Sequence, residues 1–135
     1  MLKYTVIDVE DLFDMVDITV EYTTADGITV ASERMTARTW SKEITGFKTP
    51  FRPTMKVSFV KKAGFVAEDK AYTITTKLQY SYALANDNND KALDRIGGTI
   101  GYNTKASVEK RINKLVAEPM VFTFDVPYKK EPSKE

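Results

Sequence analysis

Apolar and polar side chains alternate with a period of two along much of this chain. The clearest run covers residues 15–24, in which Val16, Ile18, Val20 and Tyr22 alternate with polar residues. Such alternation places successive side chains on opposite faces of a sheet and is typical of a half-buried antiparallel strand. We therefore expect a mainly β chain, with the apolar face of this run in the core.

Residues 71–84 form a second long alternating run, which predicts the longest strand with its even-numbered side chains in the core. Asp26 and Gly27 predict a type I′ hairpin between the run at 15–24 and a return strand at 28–39. The apolar phase of that return strand changes from even to odd positions, which predicts a bulge near Ala31 and Ser32. Residues 95–103 fit either a loop or a weak returning strand. Further strands are predicted at 3–8, 40–47, 55–59 and 120–126.

One helix is predicted over residues 105–117, because its apolar residues recur at helical spacing. Asn103 and Thr104 are candidate N-caps, and Pro119 ends the helix. We expect the helix to pack through one apolar stripe, which consists of Val108, Ile112, Leu115 and Val116.

Seven to eight short strands and one late helix predict an antiparallel β-sandwich, with a small barrel as the alternative. The chain has 135 residues, which is the size of one domain. We expect a single domain over residues 1–127 and a flexible tail over 128–135. No alternation of strands and helices indicates a parallel sheet.

Four segments carry a resemblance to a known family. They are residues 22–27, 40–43, 50–51 and 118–124, the last following the predicted helix. In these segments the chain resembles small immunoglobulin-like proteins exported by Gram-negative gut bacteria. The resemblance implies an immunoglobulin-like sandwich and export to the periplasm or cell surface, and it implies no role for any individual residue.

The chain contains no cysteine and no histidine. These absences exclude disulfides, thiolate nucleophiles, Ser-His-Asp triads and metal sites built on sulfur or imidazole. Carboxylate pairs, lysine chemistry and oxygen-ligated metals remain. The 20 basic and 19 acidic residues give a net charge of +1, too small to attract nucleic acid by itself. We expect no cofactor and no enzymatic activity.

Two acidic groups are the candidates for chemistry. The first group is a cluster of four acids between the first two predicted strands. Glycosidases use two carboxylates about 5–9 Å apart for catalysis, but acids on loops are usually only solvated. The second group lies in residues 86–90, where Asp87 and Asn89 match the first two ligand positions of a calcium loop and Asp87 and Asp90 are the candidate ligands. However, Gly98 stands where a bidentate glutamate is required. Asn and Asp also favour turns for backbone reasons, so we expect no calcium there. The candidate catalytic cluster is Glu10, Asp11, Asp14 and Asp17.

Glycine and basic residues are also clustered, without a diagnostic pattern. Gly97, Gly98 and Gly101 match no phosphate-binding loop and fit a turn or a kinked strand. A basic stretch is interleaved with Glu33 and Glu43, which favours a solvated face over nucleic-acid binding. Its members are Arg34, Arg38, Lys42 and Lys48.

Aromatic residues provide the candidate binding surface. Tyr72, Tyr80 and Tyr82 lie on the apolar face of their run, so we expect them in the core rather than on a stacking platform. Four further aromatic residues near predicted breaks either close the core or contact a partner. These candidate ligand-binding residues are Trp40, Phe47, Phe51 and Phe65.

By elimination, the sequence favours a non-catalytic exported module that binds another macromolecule or contributes to a surface assembly. Its partner is an unknown protein or glycan. The alternatives are a carboxylate-based glycan hydrolase and a calcium-dependent adhesion or carbohydrate-binding module. No apolar run reaches the ~20 residues of a membrane helix. No signal peptide is recognisable in residues 1–10, so we expect export if a signal peptide has been removed, and a cytoplasmic location otherwise.

Overall fold

The protein is described here by a computed structural model that covers residues 1–7, 11–83 and 91–127. Two helices lie in these ranges, α1 (Leu12–Met15) and α2 (Lys105–Ala117). The strands are β1 (Leu2–Ile7), β2 (Val16–Thr23), β3 (Val30–Arg34), β4 (Trp40–Ile44), β5 (Thr54–Lys61), β6 (Tyr72–Thr75), β7 (Lys77–Ala83), β8 (Lys91–Ile96), β9 (Thr99–Tyr102) and β10 (Met120–Thr123). The predicted tail at 128–135 lies outside the described residues.

All strand pairs of the three sheets are antiparallel. One four-stranded sheet has the order β4-β1-β7-β8, and a second has the order β10-β5-β2-β3. Strands β6 and β9 form a separate two-stranded sheet. The predicted mainly β class with antiparallel sheets is therefore confirmed, and so is the late helix.

Tyrosine side chains join the two four-stranded sheets across one hydrophobic core. The ring of Tyr4 on β1 lies 5.4 Å from Tyr22 on β2 and 5.1 Å from Tyr80 on β7. The Tyr4 hydroxyl donates to the carbonyl of Thr23 at 2.6 Å, and the Tyr80 hydroxyl donates to that of Phe122 at 2.7 Å. The even-numbered side chains are buried as predicted from Val16 to Tyr22 and from Tyr72 to Tyr82, while Leu84 lies outside the described residues.

The predicted long strand at 71–84 is in fact two strands that belong to different sheets. Thr76 interrupts it, and its N–H donates to the carbonyl of Gly98 at 2.9 Å. Gly97 has a φ of +90°, which bends the opposite arm at the same point. Residues 95–103 are accordingly part of a returning arm made of β8 and β9, so the strand alternative for this segment is confirmed.

The predicted bulge near Ala31 and Ser32 is wrong. The β2–β3 ladder runs without interruption from Thr19 opposite Arg34 to Thr23 opposite Val30. Ala31 and Glu33 are half-buried and Met35 is buried, so the inward side chains are the odd-numbered ones from 31 to 35. Val30 lies on the outer face of β3, and Ile28 precedes the strand, so both apolar side chains are exposed. The change of apolar phase therefore reflects two exposed apolar residues and no slip in register.

The predicted hairpin at Asp26 and Gly27 is present, but its turn differs from the type expected. The Gly27 N–H donates to the carbonyl of Thr24 at 3.0 Å, so Ala25 and Asp26 are the central residues of the turn. Gly27 follows with a φ of +77°. Hydrogen bonds from the Thr29 hydroxyl, and then from following backbone N–H groups, hold the pKa of Asp26 well below its usual range.

Helix α2 has the predicted bounds, and the side chain of Thr104 caps its first turn by accepting from the Ser107 N–H at 3.2 Å. The helix packs against β5. Val116 is 40% exposed, so its predicted place in the buried stripe is wrong. At 100° per residue Val116 lies at the margin of the stripe, beyond the surface that β5 covers. The buried members are Val108, Ile112 and Leu115.

Candidate functional site

A cleft of about 540 Å³ opens between helix α1 and the segment that joins β5 to β6. We call it the α1 cleft. Its volume falls in the range of roughly 300–1,000 Å³ that is typical of ligand pockets. Acidic, basic and aromatic side chains share its wall. They are Asp11, Asp14, Lys62, Phe65, Glu68, Lys70 and Tyr72.

Two members of the predicted acidic cluster lie together in this cleft. Asp11 fastens α1 to β6, since its carboxylate accepts the Thr73 N–H at 2.7 Å and its own N–H donates to the Thr73 carbonyl at 3.2 Å. Asp14, one helical turn later, is exposed and pairs with Arg38 at 2.8 Å. Helical spacing of three residues brings both acids to one side.

The other two members of that cluster do not belong to the cleft as described. Asp17 lies on β2, where its carboxylate pairs with Arg34 at 2.5 Å. Glu10 lies outside the described residues. The cluster predicted from the sequence is therefore divided, because the strand that begins at Val16 takes Asp17 away from the turn of helix before it.

The aromatic side of the cleft is formed by Phe65 and Tyr72. Their rings meet edge to face with centroids 6.3 Å apart. Tyr72 is buried, its hydroxyl accepts the Glu68 N–H at 3.1 Å, and the Lys70 ammonium lies 5.2 Å from its ring centre. Tyr72 therefore forms part of the wall of the cleft, with the Lys70 ammonium over its ring. The ring of Phe65 is half-buried and remains partly accessible in the cleft.

The lysines of the cleft are held by the protein itself. Lys62 donates to the carbonyl of Phe13 at 3.0 Å and lies 5.2 Å from the centre of the Phe13 ring. Lys70 pairs with Glu68 at 3.8 Å. These contacts place both ammonium groups at defined points of the wall, where their remaining N–H groups can donate to a ligand.

The other three candidate aromatic residues lie elsewhere. Phe51 is buried and stacks on half-buried Phe47 with ring centroids 4.8 Å apart, near a smaller cleft that Asp26 and Lys48 help to line. Trp40, on edge strand β4, packs on Tyr22 at 5.5 Å. Only Phe65 of the four candidates shares a described cleft with carboxylates of the predicted acidic cluster.

A polar cluster that sequence reasoning missed lies between edge strands β3 and β4. The Tyr22 hydroxyl donates to the Glu33 carboxylate at 2.5 Å, and Lys42 pairs with the same carboxylate at 3.6 Å. Burial and this hydrogen bond raise the pKa of Tyr22 to about 12, and the hydrogen bond and Lys42 hold the pKa of Glu33 below its usual range. With the regular β2–β3 register, the contact between Tyr22 and Glu33 could have been predicted from the sequence. The predicted bulge implied a different pairing of the two strands.

The three tyrosines of the run at 71–84 form no stacking platform. Tyr72, Tyr80 and Tyr82 are buried, so the core interpretation of these residues is confirmed, and Tyr72 also lines the α1 cleft. No cluster of three or more acidic residues suited to a metal occurs within residues 1–7, 11–83 and 91–127. Asp87 and Asp90 lie outside those ranges.

The helices in the described ranges are too short or too polar to cross a membrane. No protein-family model, characterised protein or solved structure matches this chain.

Proposed function

We propose that this protein is a non-catalytic, exported binding module with an immunoglobulin-like β-sandwich, and that it holds a glycan in the α1 cleft. The observation that carries the proposal is the meeting of the Phe65 ring with Asp11 and Asp14 in one cleft. Sugars present hydroxyl groups that hydrogen-bond to carboxylates and C–H faces that pack on aromatic rings. The cleft offers both kinds of partner.

The sandwich part of the proposal is supported by the arrangement of the sheets. Two four-stranded antiparallel sheets share one core, with Tyr4 on β1 in contact with Tyr22 on β2. The export part is supported by the resemblance of residues 22–27 and 40–43 to exported immunoglobulin-like proteins. Both parts agree with a domain whose loops present the binding surface.

Binding is favoured over catalysis by the hydrogen bonds of the two carboxylates. Hydrolysis of a glycan needs one carboxyl group that donates a proton and a second that acts as base or nucleophile. The Asp11 carboxylate accepts a backbone N–H from Thr73, and the Asp14 carboxylate accepts from Arg38. Accepting hydrogen bonds is the role that a carboxylate has in a binding site for sugar hydroxyl groups.

The first test compares two phenylalanines. A glycan panel identifies a ligand, and calorimetry then measures its Kd for the wild type, Phe65→Ala and Phe47→Ala. We expect Phe65→Ala to weaken binding by about tenfold or more, since one aromatic contact of about 1.4 kcal/mol is a factor of ten. Phe47→Ala, an equal truncation of a half-buried ring outside the cleft, is expected to leave the Kd unchanged. Equal losses in both variants would contradict the proposal.

The second candidate function is the carboxylate-based hydrolase, because Asp11, Asp14 and Glu68 line the same cleft. The same panel is assayed for products. Turnover by the wild type that is lost in Asp11→Asn or Asp14→Asn would replace the binding proposal. Asp17→Asn is the matched control, since Asp17 also pairs with an arginine but lies on β2. The amide of Glu10 completes the set of predicted acids.

A further inference from the structure

The solvent-facing side of helix α2 carries a basic groove of about 280 Å³. We call it the α2 groove. It lies beside the buried stripe of the helix, since half-buried Arg111 directly precedes Ile112, whose side chain is buried against the core. Its lining combines one aromatic ring, one hydroxyl group and three cations. The lining residues are Tyr102, Ser107, Lys110, Arg111 and Lys114.

The three cations of this groove lack acidic partners in the part of the chain that the structure describes. Other basic residues there differ among themselves: Arg34, Arg38 and Lys70 are in ion pairs, whereas exposed lysines such as Lys48 and Lys61 are not. What distinguishes the groove is that three such cations share one helical surface. Basic residues at i and i+4 of a helix repel one another. The helix dipole favours Lys114 in the last turn, but Lys110 and Arg111 lie before that turn. An anion bound in the groove would remove this repulsion.

The spacing of the cations limits the size of that anion. Positions i to i+4 span about 6 Å of helix, at ~1.5 Å per residue. That length suits one tetrahedral oxyanion, which an arginine contacts with two parallel hydrogen bonds. A nucleic-acid duplex carries a charge every ~1.7 Å and needs a longer basic track than one helical turn.

The two uncharged residues of the groove, Tyr102 and Ser107, bear on which chemical group can carry the oxyanion. Tyr102 is half-buried, with its ring packed against the core, so it presents a fixed aromatic surface. The Ser107 hydroxyl donates to the Thr104 carbonyl at 2.9 Å and accepts from the Thr104 hydroxyl at 2.8 Å. It is committed to the helix cap and shapes the groove without binding the anion.

We propose that the α2 groove binds a phosphate or sulfate group carried by a small ligand whose body packs against Tyr102. The charge of the groove selects the oxyanion, and its volume of about 280 Å³ accommodates a group of about the size of one sugar ring. This site shares no residue with the α1 cleft, so its test is independent of the test of glycan binding.

The test is an NMR titration of the full-length chain at constant ionic strength. The probes are inorganic phosphate, inorganic sulfate, a hexose phosphate, a hexose sulfate and the unsubstituted hexose. We expect saturable shifts of the backbone amides around the α2 groove with the esters, and none with the unsubstituted hexose. An ester that binds more tightly than its free anion supports the contact with Tyr102. Equal affinities would overturn that contact and leave a site for the oxyanion alone.

Variants with matched charge separate a site from general electrostatic attraction. Lys110→Gln combined with Lys114→Gln is compared with Lys48→Gln combined with Lys61→Gln, two exposed lysines elsewhere. We expect roughly tenfold weaker ester binding for each cation removed from the groove. We also expect little change in the control, and a partial loss in Arg111→Lys, which keeps the charge but not the fork.

Three results would overturn the proposal. They are equal losses in the two double variants, the same shifts with sodium chloride as with the esters, and tighter binding of an oligonucleotide than of a hexose phosphate. Circular dichroism of each variant checks that α2 is intact. A loss of binding in a folded variant is then attributed to lost contacts between the substituted residues and the ligand.

Discussion

Gly97 lies where the returning arm passes closest to the outgoing one. Its φ of +90° is a conformation that favours glycine, and a Cβ atom at this position would meet the Thr76 carbonyl oxygen at 1.6 Å. Both the backbone conformation and the close approach therefore require the absence of a side chain. The neighbouring Gly98 has open space around it.

We expect Gly97→Ala to lower the free energy of unfolding by about 2 kcal/mol or more, since it combines a strained φ with a clash against backbone. Gly98→Ala is the matched control and is expected to change stability by less than about 1 kcal/mol. Urea unfolding followed by far-UV circular dichroism measures both. Equal unfolding midpoints for the two variants would contradict this prediction, because they would show that the backbone accommodates a side chain at Gly97 without loss of stability.

Helix α2 packs on the rest of the molecule through a narrow apolar contact. Only three of its side chains are buried, and Ile112 is the central one, at 1% exposure. The N-terminus is held by the Thr104 cap and by Asp69, whose carboxylate accepts the Lys105 N–H at 2.7 Å. Caps fix where the helix begins, but packing supplies most of its stability.

We expect Ile112→Asp to lower the free energy of unfolding by about 3–5 kcal/mol, because it places an unpaired charge in the buried contact with the core. Asn113→Asp adds the same charge at an exposed neighbouring position and is expected to have little effect. Thermal melting of the two variants is the measurement. A melting temperature unchanged by Ile112→Asp would show that α2 does not dock through this face.

Across the molecule, buried tyrosines connect the two four-stranded sheets. Burial raises the pKa values of Tyr4 and Tyr80 above the ordinary range, and burial together with Glu33 raises that of Tyr22 to about 12. Their hydroxyl groups donate to acceptors on another strand, such as the Thr23 carbonyl for Tyr4. The contact between the sheets therefore depends on tyrosines that stay protonated.

This arrangement predicts loss of stability in alkaline solution. An unfolded tyrosine loses its proton near pH 10, whereas folded Tyr22 keeps it until about pH 12. The stabilisation by neutral Tyr22 is thus fully present below pH 10 and is lost as the pH rises from about 10 to 12. Urea unfolding between pH 8 and pH 12 measures the decline. Tyr22→Phe is expected to show a shallower decline, and an identical slope would contradict the role of Tyr22.

Only some of the contacts in the α1 cleft could be predicted from the sequence. Asp11 and Asp14 are close in sequence, and their clustering was predictable from helical spacing once a turn of helix was assumed. Their approach to Phe65 was not, because it depends on the hydrogen bond between Asp11 and Thr73, which are 62 positions apart. The four-residue helix α1 is also too short to produce an apolar period.

Alternation and helical spacing are local properties, so they were sufficient to predict the buried side chains from Val16 to Tyr22 and from Tyr72 to Tyr82, the hairpin at Gly27 and the bounds of α2. They report which side of a segment avoids water, and that depends on neighbouring residues alone. The break at Thr76, the exposure of Val30 on the outer face of β3 and the joining of Phe65 to two carboxylates were decided by folding. Each follows from which strands become neighbours, and such pairing is set by contacts between distant residues that leave no periodic signal in either segment.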